Sequence, residues 1–123
     1  MAFAERRKYP RISKSIPCQI GIKPSVYSCN TKNLSCGGAL CQFPKPIPPM
    51  TKVDIFLEIP FEGAHSKLIH CTGVVVRQEA QGAGGRASSY LTAVYFSDIK
   101  AEDRRRIAEF ILQSMLSYDR RRS

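Results

Sequence analysis

Two short groups of polar and basic residues are the ones best suited to bind an anionic ligand. The first is the segment RRKYPR, residues 6–11, in which Pro10 favours an extended backbone and so separates the side chains of Arg7 and Arg11. A guanidinium group binds phosphate through two parallel hydrogen bonds, and its flat face stacks on a purine base. The segment therefore suits a nucleotide, although a basic run ahead of a folded domain is also common without any ligand.

The second group is the sequence NLSCGG, residues 33–38. The Asn33 amide can read the edge of a base, and the Ser35 hydroxyl can both donate and accept hydrogen bonds. Gly37 and Gly38 permit a positive φ or a close approach of the backbone to a ligand. The simpler interpretation is an ordinary turn in which the Asn or Ser side chain bonds to its own backbone.

Residues for catalysis or metal binding are scarce. His65 and His70 have no serine or cysteine partner in a recognisable motif, and the acidic residues form no DxD or ExxE pair. The glycines of residues 82–85 do not form a phosphate-binding loop, because they neither follow a strand in a βαβ unit nor open a helix. We therefore expect no enzyme activity and no catalytic residues. The five cysteines lack paired CxxC spacing, so we expect reduced, mostly buried thiols and no metal site; they are Cys18, Cys29, Cys36, Cys41 and Cys71.

Positive charge is concentrated rather than spread. Basic residues outnumber acidic ones by 19 to 10, and ten of them lie in three clusters. The remaining nine nearly balance the ten acidic residues, whereas a general nucleic-acid binder usually carries its charge over a face or groove. Arg104–Arg106 fits the solvated face of a helix and Arg120–Arg122 fits a disordered tail, so neither is given a specific role. The third cluster comprises Arg6, Arg7, Lys8 and Arg11.

The elements that must position these residues are mostly strands. From Ser15 to Phe96, runs of β-branched and aromatic residues are interrupted by Gly and Pro at short intervals, which is typical of a small barrel or sandwich. The four prolines of residues 43–50 predict a loop across one end, and residues 82–85 a hairpin connection. The predicted strands are Cys18 to Lys23, Ser25 to Leu34, Gly38 to Phe43, Lys52 to Glu58, Lys67 to Gln78 and Ser89 to Phe96.

A change of periodicity after Phe96 predicts a helix over residues 98–119. Ser97 or Asp98 is the expected N-cap, and the two acidic residues that follow suit the positive end of the helix dipole. The breadth of the apolar stripe predicts packing on the barrel or on a partner and leaves room for a homodimer. The stripe contains Ile107, Phe110, Ile111, Met115 and Tyr118, widened by Leu112 and Leu116.

No segment resembles a targeting or membrane-spanning sequence. The N-terminus is charged from residue 5 and has no apolar core of a secretory signal, and no apolar run approaches the length of a transmembrane helix. We therefore expect a cytoplasmic protein without a membrane span. Its predicted parts are a flexible arm of residues 1–14, a folded domain of residues 15–119 and a basic tail of residues 120–123.

Taken together, the two groups resemble the sequence mark of the PilZ domain, a bacterial family of receptors for cyclic dimeric GMP (cyclic di-GMP). That mark is RxxxR followed by [DN]xSxxG. Arg7 and Arg11 match the first motif, and Asn33, Ser35 and Gly38 match the second. The resemblance implies a mainly β fold, a six-stranded antiparallel PilZ-like β-barrel followed by a C-terminal α-helix.

The resemblance also implies roles for the motif residues. Arg7 and Arg11 hold the phosphates and guanine faces from the arm, which becomes ordered on binding, while Asn33 and Ser35 read guanine edges and Gly38 keeps the wall open. Arg6, directly before the motif, is also a ligand-binding candidate. In this family a basic residue at that position tends to accompany binding of an intercalated dimer of the nucleotide. The alternative is that Arg6 only adds electrostatic attraction. Arg77 resembles a position that sometimes lines the ligand face. It is equally well interpreted as a solvent-exposed strand residue without a role in binding. No cofactor is implied beyond the nucleotide itself.

Three functions stay open at this point. The leading one is a signalling receptor whose bound form changes contact with a separate effector protein of unknown identity. The second is a protein-interaction adaptor of the same fold that works without the nucleotide, although such members usually lack the arginines present here. The third is a small basic barrel that binds nucleic acid, for which steep salt dependence and little base preference are expected.

Overall fold

Alternating inward and outward side chains shape all six strands of the sheet. The computed structural model describes residues 10–61, 65–82, 85 and 88–122, without the side chains of 61 and 118–122. In β3, for example, Ala39, Cys41 and Phe43 point into the core while the residues between them are half-buried on the outside. The elements are β1 Pro17–Ile22, β2 Ser25–Leu34, β3 Gly38–Phe43, β4 Lys52–Phe61, β5 His65–Gln81, β6 Ser89–Asp98 and α1 Ala101–Arg122.

The strands close into a barrel in the order β1-β2-β3-β6-β5-β4, with every neighbouring pair antiparallel. Pairing of β1 with β4 completes the ring, from Cys18 opposite Leu57 to Gly21 opposite Asp54. The predicted six-stranded antiparallel barrel with a C-terminal helix is therefore confirmed. The strand predictions were too short at the ends of β4, β5 and β6, because the ladder pairing of β5 with its two neighbours continues to Phe61, Gln81 and Asp98.

Apolar side chains from all six strands fill the barrel. Ile20, Leu57, Ile69 and Val75 are fully buried, and the burial of each aliphatic side chain of this size contributes about 2 kcal/mol. The proline-rich segment is a loop, as predicted, and its Ile47 is buried. Other buried members of this core are Ile16, Cys18, Leu34, Ala39, Cys41, Phe43, Val53, Ile55, Ile59, Cys71, Val94 and Phe96.

The helix differs from its prediction at both ends. Asp98 still belongs to β6, and the Ser97 hydroxyl donates to the backbone carbonyl of Thr72 at 3.3 Å, so neither residue caps the helix. The first helical bond runs from the Arg104 amide to the Lys100 carbonyl at 3.0 Å. At the other end the helix continues through Arg122, so residues 120–122 of the expected tail are helical.

A narrow face of the helix packs on the barrel. Ile107 and Ile111 are buried and Phe110 is half-buried against the core. Leu112 and Leu116, expected to widen this face, are 55% and 41% exposed. Arg105 is exposed as predicted, while its two arginine neighbours are half-buried, and the Arg106 guanidinium lies 3.9 Å from the Glu102 carboxylate. Met115, also predicted on this face, is 36% exposed, and the side chain of Tyr118 is outside the part of the chain that the structure describes.

No helix in the described part of the chain is both long and apolar enough to cross a membrane.

Candidate functional site

The segment ahead of β1 is held against β2. Ile12 and Leu34 exchange two backbone hydrogen bonds, of 3.0 and 2.9 Å, and the Thr31 amide donates to the Ile16 carbonyl at 3.0 Å. The buried Thr31 hydroxyl adds two more, because it accepts from the Ile16 amide at 2.9 Å and donates to the Lys14 carbonyl at 2.5 Å. The C-terminal part of the expected flexible arm is thus fixed to the barrel, whereas Arg6 and Arg7 lie outside the described residues.

This docking brings the two sequence motifs together. Continuing the antiparallel Ile12–Leu34 bridge by one residue on each side places Arg11 opposite Ser35 and Ser13 opposite Asn33. Leu34 is buried and Ile12 packs on the core, so their neighbours along both segments face outwards. Arg11 is exposed at this surface. Three of the predicted ligand-binding residues, Arg11, Asn33 and Ser35, therefore share one outer face, although Arg11 and Asn33 are 22 positions apart in the sequence.

A β-bulge sets the orientation of Asn33. The pairing of β2 with β3 shifts between Thr31 and Asn33, which leaves Lys32 as the extra residue. The bulge keeps Thr31 directed inwards and Asn33 directed outwards, although they are two residues apart in one strand. Among the described residues, the half-buried Asn33 amide has no hydrogen-bond partner, so its donor and acceptor are available to a ligand.

The turn between β2 and β3 uses the Ser35 side chain. The Ser35 hydroxyl accepts a hydrogen bond from the Gly37 amide at 3.1 Å and donates to the Gly38 carbonyl at 3.3 Å. The Ser35 amide also donates to the Gly38 carbonyl, at 2.9 Å. The simpler interpretation of this motif, a turn closed by its own side chain, therefore applies to Ser35, which keeps one oxygen lone pair for a ligand.

Close backbone packing explains the glycine at position 38. A Cβ atom there would overlap the backbone carbonyl oxygen of Val94 in β6. The amide of Phe96, two residues further along β6, donates to the Gly37 carbonyl at 2.9 Å. Gly38 thus permits β3 to start tightly against β6, and its φ is not in the left-handed region.

A basic groove of about 330 Å³ lies beside the shared face. Lys14 and Lys32 supply its positive charge, and the rest of the lining is neutral and polar. Neither lysine was predicted as a site residue. Lys14 is positioned by the hydrogen bond of its carbonyl with Thr31, and Lys32 by the β-bulge, and neither feature has a local sequence pattern. The lining residues are Ser13, Lys14, Ser15, Asn30, Thr31, Lys32 and Gln42.

The strand register also connects Asn33 with Arg77. Asn33 pairs with Leu40, Leu40 with Ala93, and Ala93 with Arg77 across β2, β3, β6 and β5. Residues directly opposite one another point to the same side of a sheet, so these four lie in one outward-facing row. At the usual spacing between strands the row is about 14 Å long. The exposed Arg77 is at one end and the Asn33 amide at the other, with two apolar side chains between them.

The Thr31 hydroxyl is the feature that most directly fixes the docked segment. We expect Thr31→Val to keep the shape of the side chain, leave the Ile16 amide without its acceptor and lower the free energy of unfolding by about 1–3 kcal/mol. Amide hydrogen exchange at Ile12 and Leu34 measures the local effect and is expected to accelerate. Thr92→Val is the matched control, because the fully buried Thr92 is bonded to Gln78 in a different part of the barrel. Equal acceleration in both variants would contradict a specific role of Thr31.

Comparisons with known proteins agree on the fold. The family model described as PilZ domain matches residues 5–113. The structure of the inhibitor of motility MotI/DgrA of Bacillus subtilis superposes with a TM-score of 0.79 at 19% identity, covering 91% of this chain and 52% of that chain. The chain therefore spans about half the length of that protein. No curated protein matches the chain in sequence.

Two further solved structures contain the nucleotide. The PilZ domain of YcgR from Escherichia coli with cyclic di-GMP gives a TM-score of 0.69 at 18% identity, with 95% of this chain and 96% of that chain covered. The complex of MrkH from K. pneumonia with cyclic di-GMP gives a TM-score of 0.75 at 20% identity, with 94% and 55% covered. At these identities the similarity establishes the fold.

Proposed function

The chain belongs to the PilZ domain family, and on this premise we propose that it is a cyclic di-GMP receptor whose ligand lies on the face shared by Arg11, Asn33 and Ser35. The observation that carries the proposal is the docking of residues 12–16 on β2, which brings Arg11 of the first motif to the same surface as Asn33 and Ser35 of the second. The related YcgR and MrkH structures contain the same nucleotide.

The proposed contacts follow from the chemistry of the ligand, which has two phosphate charges and two purine faces. Arg11 forms paired hydrogen bonds to a phosphate or stacks on a guanine, and Arg7 makes the same kind of contact in the bound form. Asn33 reads a guanine edge through its available amide. Arg6 supplies a further stacking surface if two nucleotides bind together.

Three features of the described surface complete the proposed site. Lys14 and Lys32 in the groove attract the phosphates by charge. Leu40 and Ala93 provide a flat apolar floor between Asn33 and Arg77, and a purine ring can lie against it. In this arrangement Arg77 faces the ligand from the far end of the row.

The output of the proposed receptor is a change of surface that a separate effector protein reads. Binding orders residues ahead of Arg11 over the groove, so the effector meets either a basic groove or a groove covered by nucleotide and arm. The function is that of a cytoplasmic receptor or adaptor and not that of an enzyme.

Isothermal titration calorimetry with cyclic di-GMP tests the proposal most directly. We expect saturable binding in the micromolar range or tighter, with cyclic di-AMP as the matched control ligand because it has the same phosphates and a different base edge. Similar affinity for both ligands would contradict the role of Asn33, and absence of binding at high micromolar cyclic di-GMP would overturn the receptor proposal. Equal competition by duplex DNA at physiological salt would favour nucleic acid as the ligand.

The stoichiometry of the same titration decides the role of Arg6. Two nucleotides per chain are expected if Arg6 stacks within an intercalated dimer. One nucleotide per chain removes that role and leaves the remaining contacts in place.

A further inference from the structure

Three of the five cysteines, which were expected to be reduced and mostly buried thiols, meet inside the barrel. Cys18 of β1 is directly opposite Cys29 of β2, and their sulfur atoms are 2.8 Å apart. The sulfur of Cys41 in β3 lies 3.9 Å from that of Cys18, and all three sulfur atoms are within 4.8 Å of one another. Cys36 and Cys71 are outside this group and serve as internal references.

We propose that Cys18 and Cys29 form an oxidative modification site, a dithiol that hydrogen peroxide converts to a disulfide across β1 and β2. Directly opposite residues of antiparallel strands have Cα atoms about 4.5–5.5 Å apart, which is within the range that a disulfide requires. The two sulfur atoms already face each other, so the bond needs no rearrangement of the strands.

The environment of the pair favours Cys29 as the residue that reacts first. As a residue Cys29 is half-buried, whereas Cys18 and Cys41 are buried, so Cys29 is the member of the cluster nearest to the surface. Hydrogen bonds from the neighbouring thiols stabilise its thiolate and hold the pKa of Cys29 below its ordinary value. The same contact with Cys29 raises the pKa of Cys18, which keeps its proton.

The reaction balances as two steps. The Cys29 thiolate attacks one peroxide oxygen and the O–O bond breaks, which gives a sulfenic acid and, after protonation, one water molecule. The Cys18 sulfur then attacks the oxidised sulfur, the S–S bond forms, and the sulfenic hydroxyl leaves with the Cys18 proton as a second water molecule. In sum, two thiols are oxidised and one hydrogen peroxide is reduced.

A metal ion fits the same cluster less well. Zinc prefers four ligands at about 2.3 Å from sulfur, and the described residues bring only three such groups together here. Three thiolates with a divalent cation would also leave a net negative charge among apolar side chains, whereas the dithiol and the disulfide are both neutral. The disulfide is therefore the better supported product.

Peptide mapping of the peroxide-treated protein tests the proposal without any variant. Trypsin does not cut the Lys23–Pro24 bond, so Cys18 and Cys29 share the peptide of residues 15–32. After peroxide and then iodoacetamide, we expect this peptide to be unalkylated and about 2 Da lighter than its reduced form. Cys71 lies in another peptide and is expected to stay reduced during the peroxide step, because burial raises its pKa, and to be alkylated once the protein is unfolded in denaturant.

Variants and a metal titration identify the outcomes that overturn the proposal. Cys29→Ser is expected to leave Cys18 alkylated, and Cys71→Ser, the matched control, is expected to behave like the unaltered protein. Alkylation of both thiols at a peroxide dose that oxidises free glutathione would overturn the proposal. It would also be overturned if the reduced protein retains one equivalent of Zn²⁺ after desalting and loses it in Cys18→Ser, Cys29→Ser and Cys41→Ser alike.

Discussion

Replacement of Arg11 by alanine is expected to weaken cyclic di-GMP binding by about 100-fold or more. The proposed contact consists of two charge-assisted hydrogen bonds, and their loss amounts to about 3 kcal/mol. The side chain is exposed and the backbone beside it is held by the Ile12–Leu34 bridge, so the fold of the free protein is expected to survive. Titration calorimetry measures the affinity, and the thermal melt of the free variant measures the stability.

Two further variants make the result specific. Arg105→Ala removes an exposed arginine from the helix and is expected to leave affinity unchanged. Arg11→Lys keeps the charge without the planar fork and is expected to give an intermediate loss. Unchanged affinity in Arg11→Ala would remove Arg11 from the site, and a melting temperature lowered by many degrees would make Arg11 a structural residue.

The second large effect is expected from Gly38→Ala, and it concerns stability. The added methyl group would overlap the Val94 carbonyl oxygen, so β3 and β6 must separate where the turn of the proposed ligand site is anchored. Overpacking of this kind costs about 3 kcal/mol. In a domain of this size that loss lowers the melting temperature by about 10 °C.

Gly21→Ala is the matched control for this prediction. The Cβ atom at position 21 would meet the Asp54 side chain at 3.5 Å, an ordinary contact, so only a small change of melting temperature is expected. Differential scanning calorimetry compares the two variants. If Gly38→Ala melts like Gly21→Ala but binds nucleotide weakly, then Gly38 belongs to the ligand site and not to the packing of the barrel.

The strands were predictable because their pattern is local. Alternation along β2 and β3 gave Ser25–Leu34 and Gly38–Phe43 with the bounds seen in the structure. The start of the helix was not predictable from capping preference alone, because pairing with β5 keeps Ser97 and Asp98 extended. Tertiary pairing there outweighed the local preference for a cap.

The motif residues of the candidate site could be picked out from the sequence, and the residues that support them could not. Arg11, Asn33 and Ser35 belong to short patterns, whereas the role of Thr31 depends on a hydrogen bond to residue 16 of the neighbouring segment, 15 positions earlier in the chain. The cysteine cluster could have been predicted from the register of the β1–β2 hairpin, which the CxxC spacing rule for metal sites does not consider. A two-residue turn at Lys23–Pro24 fixes the hairpin register, and that register places Cys18 opposite Cys29.

Closure of the barrel limits how another protein can recognise this one. An open sheet offers a row of unpaired amide and carbonyl groups to which a foreign strand can add, but here β1 and β4 satisfy each other and complete the ring. An effector of the proposed receptor therefore cannot extend this sheet and has to distinguish the free and bound forms by side chains and shape on the convex surface. In that proposal the barrel itself stays unchanged, and the signal is the chemical identity of what covers it.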